Sequence, residues 1–400
     1  MQKQNSSQIE FVAMMASLMS VVALAIDALL PALDIIGVSI QTKNATDNQL
    51  LITMIFVGLG FGPLVFGPIS DSLGRKPMVF VGFGVFFIAS IVCVFADSLE
   101  MMIFGRILQG IGLSAPRTIS IAIIRDIYSG DRMAKIMSFV VVVFILVPII
   151  APAMGKYILD NFSWQAIFYT QIGFSFIIAF WFWKRQPETL NEENRVKFTK
   201  SLFVNGFKEL IKHPTTIGYT IISGFVTGSF MVYLSSSQQV FQNQYFMKEE
   251  FPYIFASLAI AMGSAIFLNG IFVMKLGMKK IIHFSIVGFM LVSLTYILLF
   301  AQTQNPSIEV LLLFFALQFF SIGFLFGNLR AMAMQPVGHI AGIASAITGL
   351  ISTLMAVPIS IFIGRYVSDT VLPIFIGFFV CSVCSIFILI YLSKKNKTTL

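Results

Sequence analysis

The residue with the clearest chemical potential is Asp27, in the stretch Ala-Ile-Asp-Ala-Leu-Leu-Pro that ends at Pro31. It lies within an apolar segment long enough to cross a bilayer, where a charge is costly. Asp27 should therefore face a cavity or the interior of a helix bundle. An aspartate whose surroundings change between two states can bind and release a proton. Two roles stay open: proton coupling or substrate contact, and a structural acid that hydrogen-bonds a neighbouring helix.

A second group of polar residues lies in the fourth apolar segment. On a helix, one face would carry Arg106, Gln109, Gly110, Leu113 and Arg117, because Arg106 and Arg117 are almost three full turns apart. Two arginines on one face should line a polar, water-accessible seam, and glycine there allows close helix packing. Arg117 has an alternative role, in which it only braces helices or bonds a backbone carbonyl.

A charged motif separates the second and third apolar segments. It runs from Gly67 to Pro77 as Gly-Pro-Ile-Ser-Asp-Ser-Leu-Gly-Arg-Lys-Pro. Its glycines and prolines predict an abrupt reversal between two membrane helices. Arg75 and Lys76 mark the cytoplasmic side. Asp71 should be held by an ion pair or a helix N-terminus, and we expect Arg125 to be one partner, forming a cytoplasmic latch when the inner mouth of the transporter is shut.

The remaining polar and helix-breaking positions are fewer. In the fifth segment Pro148 and Pro152 are four residues apart, which predicts a bent helix that can rock between two states. In the second half, Tyr233, Gln318 and Asn328 are candidates for cavity lining or for helix contacts. The expected substrate cavity is lined by Asp27, Leu113, Arg117, Tyr233, Gln318 and Asn328.

The composition restricts the class of protein. The chain has 400 residues, of which 57% are hydrophobic and only 11% charged, whereas a soluble domain carries about 25% charged residues. The protein is therefore a polytopic membrane protein, and its net charge of +8 reflects cationic loops, not nucleic-acid binding. The three cysteines lie in apolar segments, where packing is favoured over metal or redox chemistry. We expect no metal and no cofactor.

Twelve segments are long enough to cross a membrane, at about 20 apolar residues per crossing. They cover 11–36, 49–69, 77–97, 101–124, 135–158, 165–183, 215–240, 251–274, 281–302, 308–334, 341–366 and 371–392. Of the 26 Lys and Arg residues, the side opposite the termini would carry only Lys43, Lys156, Lys248 and Arg365, and three more fall inside segments. This asymmetry predicts that both termini are cytoplasmic.

The chain divides near its middle into two six-helix bundles. We predict an N-terminal bundle over 1–183, a cytoplasmic linker over 184–214 and a C-terminal bundle over 215–400. The linker contains Phe203, Phe207, Leu210 and Ile211 at a spacing that predicts a short amphipathic helix at the membrane surface. A degenerate copy of the charged motif surrounds Gly277, which supports two pseudo-symmetric bundles.

The motif from Gly67 to Pro77 resembles the signature of the major facilitator superfamily, Gly-x-x-x-Asp-x-x-Gly-Arg-[Arg/Lys]-Pro. The Arg106-x-x-Gln-Gly stretch is similar to the second motif of that superfamily, whose arginine is implicated in proton transfer. This resemblance implies that Arg106 and Asp27 are partners. The fifth segment resembles the antiporter motif, Gly-x-x-x-Gly-Pro-x-x-Gly-Gly, through Pro148, Pro152 and Gly155, although Ala151 and Lys156 replace glycines.

Four further stretches resemble the Bcr/CflA drug-resistance branch of the superfamily. The first stretch surrounds Asp27, and the other three run from Pro116 to Tyr128, from Trp164 to Phe168 and from Asn328 to Ala346. The branch implies proton-driven export of small organic molecules such as chloramphenicol or bicyclomycin, and in some members of amino acids, peptides or siderophores. Related exporters carry a second acid two turns before the aspartate, where this chain has Met19.

These observations predict a proton-driven antiporter in the bacterial inner membrane that exports small organic molecules, such as chloramphenicol-like or bicyclomycin-like drugs, by alternating access. We expect a monomer whose partners are protons, a small-molecule substrate and the lipid bilayer, with no nucleic acid. The alternatives are a dedicated exporter of a metabolite, amino acid, peptide or siderophore, and a proton-coupled importer. An enzyme or receptor is disfavoured because the sequence contains no metal-ligand cluster, nucleophile constellation or phosphate-binding loop.

Overall fold

The computed structural model describes residues 7–190, 192–195, 199–302 and 304–398. Lys3 and Lys197, which the sequence places at the cytoplasmic face, lie outside them. Within these ranges the chain is helical and has no β-strand. The helices are α1 (Gln8–Asp27), α2 (Leu33–Ser39), α3 (Leu50–Leu73), α4 (Arg75–Val94), α5 (Leu99–Ile127), α6 (Gly130–Asn161), α7 (Trp164–Arg185), α8 (Lys200–Ile211), α9 (Pro214–Gln238), α10 (Phe251–Leu276), α11 (Met278–Phe300), α12 (Ile308–Met334), α13 (Ala341–Gly364) and α14 (Leu372–Thr398).

The predicted count of twelve membrane crossings is confirmed for the described residues. Ten continuous helical spans are long and apolar enough to cross a membrane, and one of them, Ile308–Gly364, contains both α12 and α13. Helix α6 supplies a further crossing of 32 residues. The first crossing is the exception to a simple helix, because α1 stops at Asp27 and the chain continues through a 3₁₀ turn into α2.

The chain forms two compact units, Met1–Lys200 and Ser201–Leu400. In the N-terminal unit the main helix pairs are α3 with α5, α4 with α5, α1 with α6, α1 with α5, α4 with α7 and α1 with α7. In the C-terminal unit the pairs are α10 with α12, α11 with α12, α9 with α13, α9 with α12, α11 with α14 and α9 with α14. The two sets correspond helix by helix, which confirms the predicted pseudo-symmetry.

Glycines let α5 approach its neighbours closely. A side chain on Gly110 would overlap the carbonyl oxygen of Ile55 in α3, and one on Gly112 would lie 2.6 Å from the backbone nitrogen of Phe86 in α4. Helices in a membrane associate through such small-residue contacts. The close packing on two sides of α5 fixes the rotation of the helix, and hence the direction in which Arg106 points.

The turn predicted from Gly67 to Pro77 is wrong in its extent. Helix α3 continues through Gly67 and Pro68 to Leu73, and α4 begins at Arg75, so Gly74 alone joins the two helices. Its φ of +114° is a backbone conformation that residues other than glycine rarely adopt. Gly277 joins α10 to α11 in the same way, with a φ of +79°. The degenerate motif in the second half therefore corresponds to an equivalent junction.

Candidate functional site

Asp27 is the last residue of α1 and lies at the interruption of the first crossing. Ala28 and Leu29 form a turn, and the 3₁₀ helix Leu30–Ala32 carries Pro31 near its start. Proline has no backbone N–H to continue an α-helix. The Asp27 side chain is buried, at 5% exposure, and no other described residue donates a hydrogen bond to it.

Helix α6 packs against this interruption at Gly155. A side chain on Gly155 would overlap the carbonyl oxygen of Ala28, the residue after Asp27. Glycine is therefore required at this position by the close approach of two backbones. Helix α6 is continuous through Pro148 and Pro152, so the antiporter-like stretch is a single helix that contacts the residue after the buried acid.

Arg106 is completely buried on α5 and holds three elements together. Its Nε donates to the carbonyl oxygen of Leu51 in α3 at 2.7 Å, and its Nη1 donates to the carbonyl oxygen of Ala25 in α1 at 3.1 Å and to Gln109 Oε1 at 2.7 Å. Gln109 in turn donates to Ser90 Oγ in α4 at 2.8 Å. The Arg106 side chain thus spans α1, α3 and α5 without reaching water.

Two predictions for this face are therefore corrected. Arg106 bonds the backbone two residues before Asp27 and not its carboxylate, because its three bonded acceptors already direct the guanidinium toward α1 and α3. The face is also not a water-accessible seam at Arg106, which is 0% exposed. Farther along α5, Leu113 is buried and Arg117 is half-buried.

A second site surrounds the junction between α3 and α4. The Arg75 guanidinium, only 4% exposed, pairs with Asp71 at the end of α3 and with Asp126 Oδ2 at 2.9 Å in the last turn of α5. It also donates to Ser70 Oγ at 2.8 Å. One cation therefore ties three helix ends together, and such charge-assisted bonds are the stronger ones in proteins.

The predicted pairing of Asp71 with Arg125 is not the pairing that the structure shows. Among the described residues Asp71 pairs with Arg75, four residues along the chain, and the adjacent acid Asp126 completes the cluster. Arg125 is exposed on α5. The register of α5 explains the difference, because consecutive residues of a helix point in directions about 100° apart.

Glu188 completes this second site and was not predicted from the sequence. Its carboxylate accepts the backbone N–H groups of Arg75 at 3.0 Å and of Lys76 at 2.9 Å, which are the first two of α4. It also accepts those of Thr189 and Leu190, each at 2.9 Å. Partial burial raises the pKa of Glu188, but these four donors together hold it below its ordinary value. Glu188 is a side-chain cap supplied from a distant loop.

Two further contacts tie this loop to the junction. Thr189 Oγ1 donates to Asp126 Oδ2 at 3.1 Å. Lys76 Nζ donates to the carbonyl oxygen of Trp183 in α7 at 2.8 Å. The only sequence signal for Glu188 was its place directly after α7, in Gln-Pro-Glu-Thr-Leu.

The predicted polar residues of the C-terminal unit are interhelical contacts. Gln318 on α12 donates to Ser293 Oγ on α11 at 2.6 Å. Asn328 on α12 donates to Asn269 Oδ1 on α10 at 2.6 Å. Tyr233 on α9 has its ring 4.5 Å from that of Phe319 and is surrounded by other phenylalanines. Gln318 and Asn328 thus have hydrogen-bonding partners that do not require a substrate.

A buried polar run follows Tyr233. The side chains of Ser235, Ser236, Ser237, Gln238 and Gln239 are all at most 7% exposed. Gln238 donates to Gln242 Oε1 at 3.1 Å within a π-helical stretch, Gln239–Gln244. π-Helical turns are frequent at functional sites.

The chain matches the Major Facilitator Superfamily over residues 11–358. It is 27% identical over 356 residues to the bicyclomycin resistance protein homolog of Haemophilus influenzae, covering 87% of each chain. It is 28% identical over 367 residues to the multidrug resistance protein MdtL of Salmonella paratyphi A, covering 89% of this chain and 88% of the relative.

Two solved structures share the fold. The xylose transporter XylE of E. coli, in a partially occluded inward-open conformation, gives a TM-score of 0.73 at 14% identity over 97% of both chains. The human organic anion transporter MFSD10 gives a TM-score of 0.67 at 14% identity, covering 96% of this chain and all of that one. At this identity the likeness shows the fold alone.

Proposed function

The chain belongs to the major facilitator superfamily of membrane transporters, and we propose that it is a proton-driven exporter of small organic molecules. The observation that carries the proposal is the position of Asp27. It is a buried acid at an interrupted membrane helix, without a hydrogen-bond donor among the described residues. Ion and substrate sites of secondary transporters commonly lie at such discontinuous helices.

In the proposed cycle, a proton from outside binds Asp27 and leaves on the inside after the transporter has changed state. Arg106 acts through α1, since it bonds the carbonyl oxygen of Ala25 and fixes α5 to the helix that carries the acid. Gly155 lets α6 rest against the same interruption. A change of charge at Asp27 can therefore alter how α1 packs against both α5 and α6, which supports coupling between proton binding and helix movement.

For the substrate, we propose small lipophilic molecules such as chloramphenicol-like or bicyclomycin-like drugs. The names of the Haemophilus and Salmonella relatives, which refer to bicyclomycin resistance and multidrug resistance, support this class. Aromatic rings around Tyr233 offer apolar contact, and the glutamines after it offer hydrogen bonds. The proposed contacts are Asp27, Leu113, Arg117 and Tyr233. Gln318 and Asn328 belong to the same proposed set, with their bonds to Ser293 and Asn269 as the alternative role.

We further propose a monomer in the bacterial inner membrane with both termini cytoplasmic. The distribution of Lys and Arg supports this orientation. In this arrangement residues 184–214 link the two six-helix bundles on the cytoplasmic side, and the Arg75 and Glu188 cluster lies at the cytoplasmic end of the N-terminal unit.

A growth-inhibition panel in an efflux-deficient bacterium tests the proposal. It compares the wild type with Asp27→Asn at matched membrane levels, against chloramphenicol-like, bicyclic-peptide-like, cationic-dye and amino-acid-analogue toxicants. The control is Asp160→Asn, an exposed carboxylate paired with Lys156 on α6. Protection by the wild type and the control, lost in Asp27→Asn, would support drug export. Protection against no compound would favour a dedicated exporter of a metabolite or siderophore, or an importer.

A further inference from the structure

Helix α8 has an apolar arc of which one half is buried and the other half exposed. Gly206 and Leu210 are buried, and a side chain on Gly206 would lie 3.0 Å from Ile343 of α13. The other half of the arc consists of Val204, Phe207 and Ile211, which are 52%, 48% and 56% exposed. At about 100° per residue, these three side chains form one continuous stripe. The C-terminal unit thus leaves this stripe uncovered.

The position of α8 along the chain places this stripe beside the bilayer. Only Lys212 and His213 separate α8 from Pro214, the first residue of the membrane-crossing helix α9. The buried side of α8 packs on Ile343 and Ile347, near the start of the crossing helix α13. Helix α8 is therefore attached at the ends of two membrane helices, where the headgroup region begins.

Two lysines border the exposed stripe on the side away from Gly206 and Leu210. Lys208 is exposed and lies about 40° around the helix from Val204, and Lys212 follows one turn later with 68% of its side chain exposed. Glu209 is the acid of this helix and lies farther from the stripe. It pairs with Lys212 at 2.8 Å and lies 3.4 Å from His213 Nε2 and 3.9 Å from His339 Nε2. These contacts fix the rotation of α8, with the stripe directed away from the unit.

We propose that α8 is a docking helix for anionic phospholipids of the leaflet beside it. Val204, Phe207 and Ile211 would enter the boundary between headgroups and acyl chains, and Lys208 and Lys212 would contact the lipid phosphates. A helix with an apolar stripe bordered by lysines binds such a surface through buried apolar area and through attraction to anionic headgroups. Because the border of the stripe is cationic, we expect α8 to bind anionic phospholipids more strongly than zwitterionic ones.

The test places a fluorophore on the helix of the full-length protein. Val204→Cys carries the label on the stripe. The matched control is Asn205→Cys, because Asn205 is exposed on another side of α8. In both variants the native cysteines are replaced by alanine. Each protein is placed in nanodiscs of phosphatidylcholine alone or with about 30% phosphatidylglycerol, and quenching by brominated acyl chains is measured. The Val204 label should be quenched about twofold more in the anionic discs, while the Asn205 label stays unchanged.

Lysine variants and an unlabelled measurement complete the test. Lys208→Gln with Lys212→Gln should remove the difference between the two lipids. In the unmodified chain, tryptic cleavage after Lys208 should slow in anionic discs relative to cleavage after Arg195. Equal quenching of the two labels, or equal quenching and cleavage in both lipids, would overturn the proposal. Both readouts are independent of transport, so they stand apart from the proposed export activity.

Discussion

Arg75 donates from Nε to Asp126 Oδ2 at 2.9 Å, and this ion pair joins the first residue of α4 to the last turn of α5. The same guanidinium holds Asp71 at the end of α3. Because Arg75 is nearly excluded from solvent, the loss of one acidic partner leaves a buried charge with fewer acceptors, which costs more than the loss of an exposed pair.

We therefore expect Asp126→Asn to lower the stability of the purified protein by about 2 kcal/mol. The matched variant on the adjacent residue, Arg125→Gln, should leave stability unchanged because Arg125 is exposed and does not pair with Asp71 in this structure. Thermal unfolding in detergent, followed by loss of the monodisperse gel-filtration peak, compares the two. A larger loss of stability in Arg125→Gln than in Asp126→Asn would favour a pair between Asp71 and Arg125 and contradict the pairing that the structure shows.

Replacement of Glu188 tests the cap on α4. Glu188→Ala removes the acceptor of four backbone N–H groups, two of them at the start of α4. Loss of a helix cap costs about 1–2 kcal/mol, so the unfolding temperature should fall, and less so in Glu188→Gln. The control is Glu192→Ala, whose carboxylate is 90% exposed and lies 4.0 Å from Arg195. An equal effect of Glu188→Ala and Glu192→Ala would rule out the cap.

The cap should also respond to pH. The pKa of Glu188 is lowered in the folded protein, so its contribution is present above the ordinary glutamate pKa and is lost as the pH falls through the lower folded value. The difference in unfolding temperature between the wild type and Glu188→Gln should accordingly be largest at neutral pH and shrink below about pH 4. A difference that grows under acid conditions would contradict this sign.

Much of the fold could be predicted because its signals are local. Apolar runs of sufficient length predicted the twelve crossings, and the glycine repeated at Gly74 and Gly277 predicted the equivalent halves. The extent of the first junction was predicted wrongly because Pro68 indicated a turn. A proline inside a membrane helix is tolerated when neighbouring groups satisfy the freed backbone, and α3 continues through it.

The sequence identified the residues of the candidate sites better than it identified the groups that these residues contact. Asp27, Arg106, Asp71 and Arg75 were identified from type and position, but their partners depend on helix rotation, which no single segment determines. Arg106 turned out to bond backbone carbonyls of α1 and α3, and backbone acceptors leave no trace in side-chain patterns. Glu188 was missed because its partners are also backbone groups, 112 and 113 residues earlier in the chain.

Gly155 offers a test of the contact beside the buried acid. Gly155→Ala introduces a side chain that overlaps the Ala28 carbonyl oxygen, so α6 must move away from the interruption of α1. Overpacking of this kind costs about 1–3 kcal/mol. Gly173→Ala on α7 is the matched control, since a side chain there meets open space and alanine is the better helix former. Thermal unfolding should separate them, and a neutral Gly155→Ala would show that the two backbones are not in contact.

Arg106→Lys tests whether geometry or charge is needed at the centre of the N-terminal unit. Lysine keeps the positive charge but cannot reproduce the three bonds to Leu51, Ala25 and Gln109 in their fixed directions. We expect a loss of about 2 kcal/mol or more in stability and a matching loss of transport. Gln109→Leu, which removes only the link between Arg106 and Ser90, should be milder. Wild-type behaviour of Arg106→Lys would mean that the charge alone suffices.

The central claim is that proton movement through Asp27 drives export, and proteoliposomes measure this directly. Wild-type protein, Asp27→Asn and the Asp160→Asn control are reconstituted, and a pH-sensitive dye on the trans side records proton movement when a substrate identified by the growth panel is added. We expect substrate-dependent proton movement and gradient-driven transport for the wild type and the control. We expect neither for Asp27→Asn, although that variant should still catalyse substrate exchange without a gradient. Proton-coupled transport that persists in Asp27→Asn would contradict a role of Asp27 in proton movement.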